Sequence, residues 1–358
     1  MQQLIVRGAP QIYECAINSW EKLPHYLTAR KIKNVLLLHG KDSWTAAQPF
    51  FPDLSHYTVY KKYYGGECTD EKADEIVSTI ENNNIDGIIA CGGGKIADLG
   101  KTAADKAQLP VFILPTLAAT CAAYSSLSVI YNLDGSMKRY EMFSTSSAAV
   151  LVEPRVILHS PQELMIAGIG DTLAKWYEAA PVIEQLTYQP PEIQIALFAA
   201  QRCRDILLRD SNQALEAMQT STVNQALQNV IETNILLAGM VGGFGDDYGR
   251  TSGAHSIHDA LTILPESHQT LHGFKVAYGI LVQLMIEDKK AEIERLLPFY
   301  NQLHLPTSLK DIGLSLSEED YRQVGQRATL PWEQIHYLKE EITTQVVVDA
   351  MKKIENLN

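Results

Sequence analysis

Short apolar or β-forming runs alternate with stretches of helical character in the first part of the chain, from residue 32 to about residue 154. The runs lie at residues 35–38 (VLLL), 57–60 (YTVY), 87–90 (GIIA) and 111–114 (VFIL). Such alternation predicts parallel strands joined by crossover helices. Because unbroken apolar strands are expected where both faces of a parallel sheet are covered, we predict an α/β domain here.

A β-rich segment between residues 129 and 143 turns at Asp134-Gly135 and returns. An Asp-Gly pair between β-forming stretches is a strong hairpin signal, because glycine and aspartate tolerate the positive φ angles of a tight turn. The segment therefore predicts a two-stranded arm on the α/β domain.

After Pro161 the apolar spacing changes to that of amphipathic helices, with no convincing β alternation. The clearest example is the series Val223, Leu227, Val230, Ile231 and Ile235. This spacing places apolar side chains on one helix face. We therefore predict an all-α second domain and place the boundary near residues 159–161, which gives domains of residues 1–160 and 161–358.

Composition narrows the class of partner. The 358 residues carry a formal net charge of −12, with 46% hydrophobic and 20% charged residues. An acidic chain is a poor match for nucleic acid or an anionic membrane, so we expect a small-molecule partner and neither of those two. Five scattered cysteines without a CxxC pair, and no leader-like pattern after Met1, favour a reduced, cytoplasmic protein.

A glycine-rich loop follows the third run. Residues 88–91 lead into Gly92-Gly93-Gly94-Lys95, and a helix is expected over residues 96–107. Consecutive glycines let the backbone approach a pyrophosphate and aim its N–H groups, with the helix N-terminus, at the negative charge. The loop matches neither GxGxxG nor GxxxxGK[ST], and a ligand-free strand-to-helix turn is the alternative interpretation.

The end of the first run bears on which dinucleotide would bind. Lys41 follows residues 35–38 closely, where a dinucleotide domain usually meets the adenosine ribose. A cationic side chain there suits a 2′-phosphate, so Lys41 favours NADP over NAD. A solvated surface lysine explains the residue equally well.

The helical half contains a candidate metal constellation. Its first member along the chain is Asp171, and four histidines follow it: His255, His258, His268 and His272. One carboxylate and two imidazoles would leave an open position on Zn²⁺ or Fe²⁺, as a catalytic site requires. Spacing alone does not select the ligands, because histidines three or four residues apart merely share a helix face.

Several segments together resemble a known family. They are residues 92–95 with Asp98, then 115–120, 127–131, 168–171, 255–258 and 272–279. In this order they resemble motifs of the glycerol dehydrogenase branch of the iron-containing alcohol dehydrogenase family. The resemblance implies a dehydroquinate-synthase-like architecture, in which a Rossmann-like sheet with a hairpin arm precedes an all-α domain, and it implies a homo-oligomer.

The resemblance also implies roles for residues at matching positions. The implied metal ligands, for zinc or iron, are Asp171, His255 and His272. His258 would lie near the substrate and the nicotinamide, with a packed core histidine as the alternative. The implied dinucleotide contacts are Gly93, Gly94, Lys95, Thr116, Ser125, Leu127 and Tyr131.

Two positions depart from glycerol dehydrogenases. Cys121 stands where they carry an aspartate that helps to hold polyol hydroxyls, and its neutrality removes a charge that would repel an anionic substrate. Lys175 lies four residues after Asp171, about one helical turn, and suits a substrate carboxylate. A lysine that only pairs with Asp171 or reaches solvent is the alternative. The segments around both residues resemble a bacterial hydroxycarboxylate dehydrogenase subgroup.

We therefore expect an NAD(P)-dependent enzyme that interconverts a small 2-oxo acid and a 2-hydroxy acid. A glycerol or 1,2-diol dehydrogenase is the first alternative. A lyase similar to dehydroquinate synthase is the second, although such an enzyme would carry glutamate where this chain has Asp171. A non-catalytic nucleotide-binding protein on the same scaffold is the third.

Overall fold

The structure is a computed structural model and describes residues 4–338 and 341–357. Residues 1–3, on which part of the argument about a leader rests, lie outside the described residues. The chain forms two units. The α/β unit comprises Arg7–Pro161 and Ala214–Gly239, and the helical unit comprises Gln162–Gln213 and Met240–Asn358 with Met1–Val6.

Six parallel strands form the sheet of the α/β unit, and the second to fifth of them correspond to the four predicted runs. In chain order the strands are β1 (Tyr13–Cys15), β2 (Asn34–His39), β3 (Thr58–Tyr63), β4 (Gly87–Gly92), β5 (Val111–Pro115) and, after the arm, β8 (Ala149–Val152). Their order across the sheet is β1-β8-β5-β4-β2-β3. The strands β4, β5 and β8 are buried along their whole length, which explains why their sequences carry no polar alternation.

The strand order reverses beside β2. Strand β3 pairs with one edge of β2, whereas β4 pairs with the other, where His39 lies opposite Cys91. The loops that follow β2 and β4 therefore leave the sheet side by side at its carboxyl edge. Open α/β sheets bind ligands at such a reversal point.

Among the described residues, seven α-helices and one π-helical turn lie in the α/β unit or end within it. They are α1 (Leu23–Ala29), α2 (Lys41–Ala47), α3 (Asp70–Asn82), α4 (Gly94–Ala107), α5 (Pro154–Leu158), the end of α7 (Pro191–Gln219), α8 (Gln225–Glu232) and a π-helical turn (Thr233–Leu237). Helix α4 begins two residues before the predicted start because Gly93 already serves as its N-cap. The side-chain amide of Asn234, in the π-helical turn, donates to the Ala118 carbonyl oxygen at 2.8 Å.

The predicted arm is present as the antiparallel pair β6 (Leu127–Tyr131) and β7 (Met137–Met142). Its turn contains Gly135 at φ 85°, and the Asp134 carboxylate accepts the main-chain N–H of Ser136 at 2.9 Å. The arm is held against the start of α3, because the guanidinium of Arg139 donates two 2.8 Å hydrogen bonds to the Asp70 carboxylate.

The helical unit is built from helices without a strand among its described residues. They are α6 (Gln162–Ile183), most of α7, α9 (Ala238–Gly245), α10 (Gly253–Leu261), α11 (His272–Ile286), α12 (Lys290–Leu303), α13 (Glu318–Ala328) and α14 (Thr344–Glu355). The predicted α/β and all-α architecture is thus confirmed. No helix within residues 4–338 and 341–357 is long and apolar enough to cross a membrane.

Candidate functional site

Glycines at helix crossings bring three helices of the helical unit into close contact. A Cβ on Gly273, beside His272 on α11, would lie 1.8 Å from the Ala167 carbonyl oxygen on α6. One on Gly279 of α11 would lie 2.4 Å from the Ala254 carbonyl oxygen on α10. Only glycine allows the backbones to approach this closely. Gly273 and Gly279 therefore set the spacing between α11 and its two neighbours, α6 and α10.

The three proposed metal ligands converge where these helices meet. Asp171 Oδ1 lies 3.3 Å from His255 Nε2 and 3.2 Å from His272 Nε2, and one donor atom of each residue lies within 4.8 Å of the others. Two donors bound to Zn²⁺ at about 2.0–2.1 Å in tetrahedral geometry are roughly 3.3–3.4 Å apart. The donor set therefore fits a divalent cation. His272 is 45% exposed, which leaves one side of the cluster open.

Charge and burial act against each other in this cluster. Burial disfavours the ionised form of Asp171 and would raise its pKa. The hydrogen bonds with His255 and His272 outweigh this effect and hold the pKa of Asp171 well below its usual value. Burial likewise disfavours protonated His255, yet the charge of Glu178 and the bond to Asp171 raise the His255 pKa to about 9. The cluster therefore favours positive charge beside Asp171.

A second carboxylate, which the sequence did not single out, lies behind His255. Glu178 is two turns along α6 from Asp171 and almost fully buried. Its Oε2 lies 2.6 Å from His255 Nδ1, and its Oε1 accepts the main-chain N–H groups of Ser252 and His255 at 2.7 and 2.9 Å. Gln283 of α11 accepts the N–H of Ala254 at 2.9 Å. Side chains from α6 and α11 thus hold the N-terminus of α10.

His258 contacts His272, the second proposed histidine ligand, and is not one of the three proposed donors. Its Nε2 is 2.9 Å from His272 Nδ1, and its Nδ1 is 2.9 Å from Asp259 Oδ1. Burial and the adjacent charge of His272 lower the His258 pKa to about 3. The ring is therefore neutral near pH 7, and Asp259 is a second partner that the sequence argument did not single out.

Lys175 lies inside the same part of the helical unit. It is 8% exposed, and its Nζ donates to the Arg250 carbonyl oxygen at 3.2 Å. Its positive charge helps to lower the pKa values of both Asp171 and Glu178, after the larger effects of burial and the histidines. The ammonium group is thus a buried cation close to the ligand cluster and does not reach out to solvent.

The glycine loop of the α/β unit has the features of a phosphate cradle. Gly93 caps α4 and Gly94 is its first residue. A Cβ on Gly93 would lie 3.0 Å from Leu117 Cδ1, and one on Gly94 would lie 3.1 Å from Thr120 Oγ1, so side chains would fill the space above the helix N-terminus. The buried Thr116 hydroxyl has no hydrogen-bond partner among the described residues. These observations fit a bound dinucleotide phosphate.

Two other proposed dinucleotide contacts lie together beside this loop. Lys95, in the first turn of α4, places its Nζ 5.7 Å from the centre of the Tyr131 ring at the end of β6. The same ammonium group is 2.5 Å from Glu67 Oε2. The arm therefore brings Tyr131 to the N-terminus of α4.

A buried lysine positions the segment that contains Ser125 and Leu127. Lys101 Nζ donates to the carbonyl oxygens of Ala122 (2.7 Å), Ser125 (3.0 Å) and Leu127, and lies 3.0 Å from Asp98 Oδ1. Lys101 is a supporting residue that we did not expect from the sequence. A lysine amid the small and apolar residues of α4 is the signal that could have found it.

Cys121 and Lys41 lie in different parts of the α/β unit. Cys121 begins the turn that Lys101 supports, and its carbonyl oxygen accepts the N–H groups of Tyr124 and Ser125 at 2.9 and 3.1 Å. Lys41 is the exposed first residue of α2, immediately beyond the carboxyl end of β2. It is therefore next to the reversal point of the sheet.

A parallel sheet with a glycine loop, together with a helical unit that gathers a carboxylate and two histidines, defines the class of dehydrogenases that combine an α/β and an all-α part. The sequence comparisons agree. Residues 10–154 match the family model for iron-containing alcohol dehydrogenases. Hydroxycarboxylate dehydrogenase A of Escherichia coli (strain K12) is 36% identical over 349 residues, which are 97% of this chain and 96% of that protein. The chain belongs to the iron-containing alcohol dehydrogenase family and is an oxidoreductase.

Two further relatives belong to the glycerol dehydrogenase branch. A glycerol dehydrogenase of Thermotoga maritima is 35% identical over 318 residues, covering 87% of this chain and 85% of that protein. The crystal structure of a probable glycerol dehydrogenase from Sinorhizobium meliloti 1021 superposes with a TM-score of 0.88 at 30% identity, covering 99% of each chain. The resemblance to this family is confirmed.

Proposed function

We propose that this chain is an NAD(P)-dependent dehydrogenase that interconverts a small 2-oxo acid and a 2-hydroxy acid with the help of one divalent zinc or iron ion. The observation that carries the substrate class is Lys175, a buried ammonium group close to the Asp171 cluster. A positive charge held beside the cluster can form a charge-assisted hydrogen bond with the carboxylate of a substrate that binds there. The similarity to a hydroxycarboxylate dehydrogenase agrees with this choice.

The helical unit would hold the metal through Asp171, His255 and His272. A divalent ion there supplies Lewis-acid polarisation of the substrate's alcohol or carbonyl oxygen. Lys175 binds the substrate carboxylate and so orients the carbon that reacts. The exposed side of His272 leaves room for the substrate to approach the cluster.

The α/β unit would hold the dinucleotide, which supplies or accepts the hydride. Gly93 and Gly94 present N–H groups to its pyrophosphate, and the Thr116 hydroxyl provides a further hydrogen bond. Lys95 and Tyr131 close over it together with Ser125 and Leu127, whose segment Lys101 supports. Lys41, next to the reversal point, favours NADP.

Cys121 supports the same substrate class from the α/β unit. A neutral side chain in this position adds no negative charge, so the carboxylate of an oxo acid meets no repulsion there. A homo-oligomer, expected from the family, completes the proposal.

The test is turnover by the Zn²⁺- or Fe²⁺-loaded protein with NADPH and NADH against 2-oxoglutarate, 2-oxobutanoate and dihydroxyacetone. We expect the oxo acids to be reduced faster, with NADPH preferred. Chelation should bring activity to background, and readdition of metal should restore it while circular dichroism stays unchanged. A preference for dihydroxyacetone with NADH would instead identify a glycerol or 1,2-diol dehydrogenase, which similarity to the Thermotoga maritima enzyme makes the second candidate.

A further inference from the structure

Each histidine of the metal cluster has its second ring nitrogen engaged by another side chain. His255 Nδ1 lies 2.6 Å from the Glu178 carboxylate, which can only accept a hydrogen bond when ionised. That nitrogen therefore carries the proton. The other nitrogen, Nε2, is the one that lies 3.3 Å from Asp171 Oδ1.

The same arrangement recurs at His272 through one more ring. Asp259 accepts from His258 Nδ1 at 2.9 Å, so the nitrogen that His258 presents to His272 Nδ1, at 2.9 Å, is Nε2. A neutral imidazole that binds a cation through Nε2 carries its proton on Nδ1, and His258 Nε2 is placed to accept that proton's hydrogen bond from His272. His272 Nε2 then lies 3.2 Å from Asp171 Oδ1.

We propose that Glu178 and the Asp259–His258 pair are positioning residues that hold both ligand histidines in the tautomer whose Nε2 binds the divalent cation. This inference rests on the metal site of the proposed function. In this proposal His258 orients the ring of His272, because the Nε2 of His258 is the atom that lies 2.9 Å from His272 Nδ1. A carboxylate behind a ligand histidine also makes the imidazole more basic and so a stronger ligand.

The two carboxylates reach the histidines in different ways, so the proposal can be tested twice. Glu178 lies on α6 and contacts His255 directly. Asp259 lies on α10 and acts on His272 only through His258. Removing one carboxylate should therefore weaken the cation site while the other histidine keeps its support.

The first experiment measures Zn²⁺ affinity of the full chain by competition with a chelator. We expect Glu178→Gln and Asp259→Asn each to raise the Zn²⁺ Kd about 10- to 100-fold. The matched controls are Glu163→Gln, an exposed residue of the same helix α6, and Asp288→Asn, an exposed residue after α11. Both controls should keep the wild-type affinity, and circular dichroism reports the fold of every variant.

The second experiment resolves the two histidines by proton NMR of the Co²⁺-loaded protein. The wild type should show two shifted resonances that disappear in D₂O, one from each protonated Nδ1. Glu178→Gln should move or broaden one of them and Asp259→Asn the other. A role confined to packing of the helices would leave both resonances in place.

The outcomes separate the two proposals. A wild-type chain that binds neither Zn²⁺ nor Co²⁺ contradicts the metal site itself. A wild type that binds, with both variants binding equally well and both resonances unmoved, overturns only the inference about Glu178 and Asp259. If Glu178→Gln does not fold, Asp259→Asn decides the question alone, because its carboxylate bonds a side chain without capping a helix.

Discussion

The ammonium group of Lys175 lies 3.2 Å from the main-chain carbonyl oxygen of Arg250, and its charge acts on the carboxylate of Asp171 one helical turn earlier. We expect Lys175→Met to lower kcat/KM for 2-oxobutanoate about 10- to 100-fold, because a hydrogen bond to a charged group is worth roughly 1.5–3 kcal/mol. Most of the change should appear in KM. Turnover of dihydroxyacetone, which has no carboxylate, should change little.

The control for this prediction is Lys290→Met, an exposed lysine at the start of α12 that should leave both substrates unaffected. An equal loss for the oxo acid and for dihydroxyacetone in Lys175→Met would show that Lys175 supports the fold of the cluster instead of recognising a carboxylate.

Cys121 offers the complementary change in the α/β unit. Cys121→Asp introduces a negative charge, so kcat/KM for a 2-oxo acid should fall, by about tenfold for a repulsion of roughly 1.4 kcal/mol. Oxidation of glycerol should rise, because the new carboxylate can accept hydrogen bonds from polyol hydroxyls. Steady-state kinetics with both substrates measures the ratio. Cys121→Ser is a neutral control of similar size and should keep the wild-type preference.

Lys41 bears on the choice of dinucleotide. Lys41→Glu should raise KM for NADPH about tenfold or more, since the variant replaces attraction of a 2′-phosphate by repulsion. KM for NADH should stay the same or fall, because a carboxylate can accept a hydrogen bond from the ribose 2′-hydroxyl. Lys33→Glu makes the same charge change just before the amino end of β2 and should alter neither value. Unchanged NADPH kinetics in Lys41→Glu would show that Lys41 does not contact the dinucleotide.

The arm provides a pH-dependent prediction. Hydrogen bonds from Arg139 and Lys138 hold the pKa of Asp70 below its usual value. A lowered carboxyl pKa contributes stability above the unfolded-state pKa of about 3.9, and that contribution is lost as the pH falls toward the folded-state pKa. Asp70→Asn should therefore lower the melting temperature at pH 7 by about 2 °C, for a loss of roughly 0.5–1 kcal/mol.

The difference in melting temperature between wild type and Asp70→Asn should narrow below about pH 4, where Asp70 begins to take up a proton in the unfolded chain while its lowered pKa keeps it ionised in the folded protein. Thermal unfolding followed by circular dichroism between pH 7 and pH 3 measures it. Asp288→Asn, whose side chain is 90% exposed, should show no such trend. A difference that stays constant over this range would assign the loss to packing.

The strands and the arm were predictable because their signals are local. A buried parallel strand is apolar or small throughout, as β4 is. The Asp134-Gly135 pair marks the turn of the arm regardless of the rest of the chain. The start of α4 was misplaced by two residues because Gly93 can act as an N-cap without a side chain. Helix caps made by the backbone leave little trace in the sequence.

The side chains that support the cluster and the Ser125 segment were not predictable from spacing. Glu178 and Lys101 are buried and Asp259 is partly buried, although charged residues on helices usually face solvent. The burial of Glu178 follows from a contact far along the chain, because its partner His255 lies 77 positions later. The proposed donors Asp171 and His272 were selected through the family resemblance, because spacing alone could not choose among the carboxylates and histidines of the helical half.

The α/β unit is assembled from two stretches of chain, and this has a consequence for how the protein is made. The main-chain carbonyl oxygen of Ala118 accepts a hydrogen bond from the side chain of Asn234. The Tyr124 ring packs against Gly239, in the space that a side chain there would fill. When the first 161 residues have left the ribosome, both partners are still to be synthesised. The α/β unit therefore completes its own packing only after the first long helices of the helical unit have emerged, and it cannot be cut out of the gene as a single continuous module.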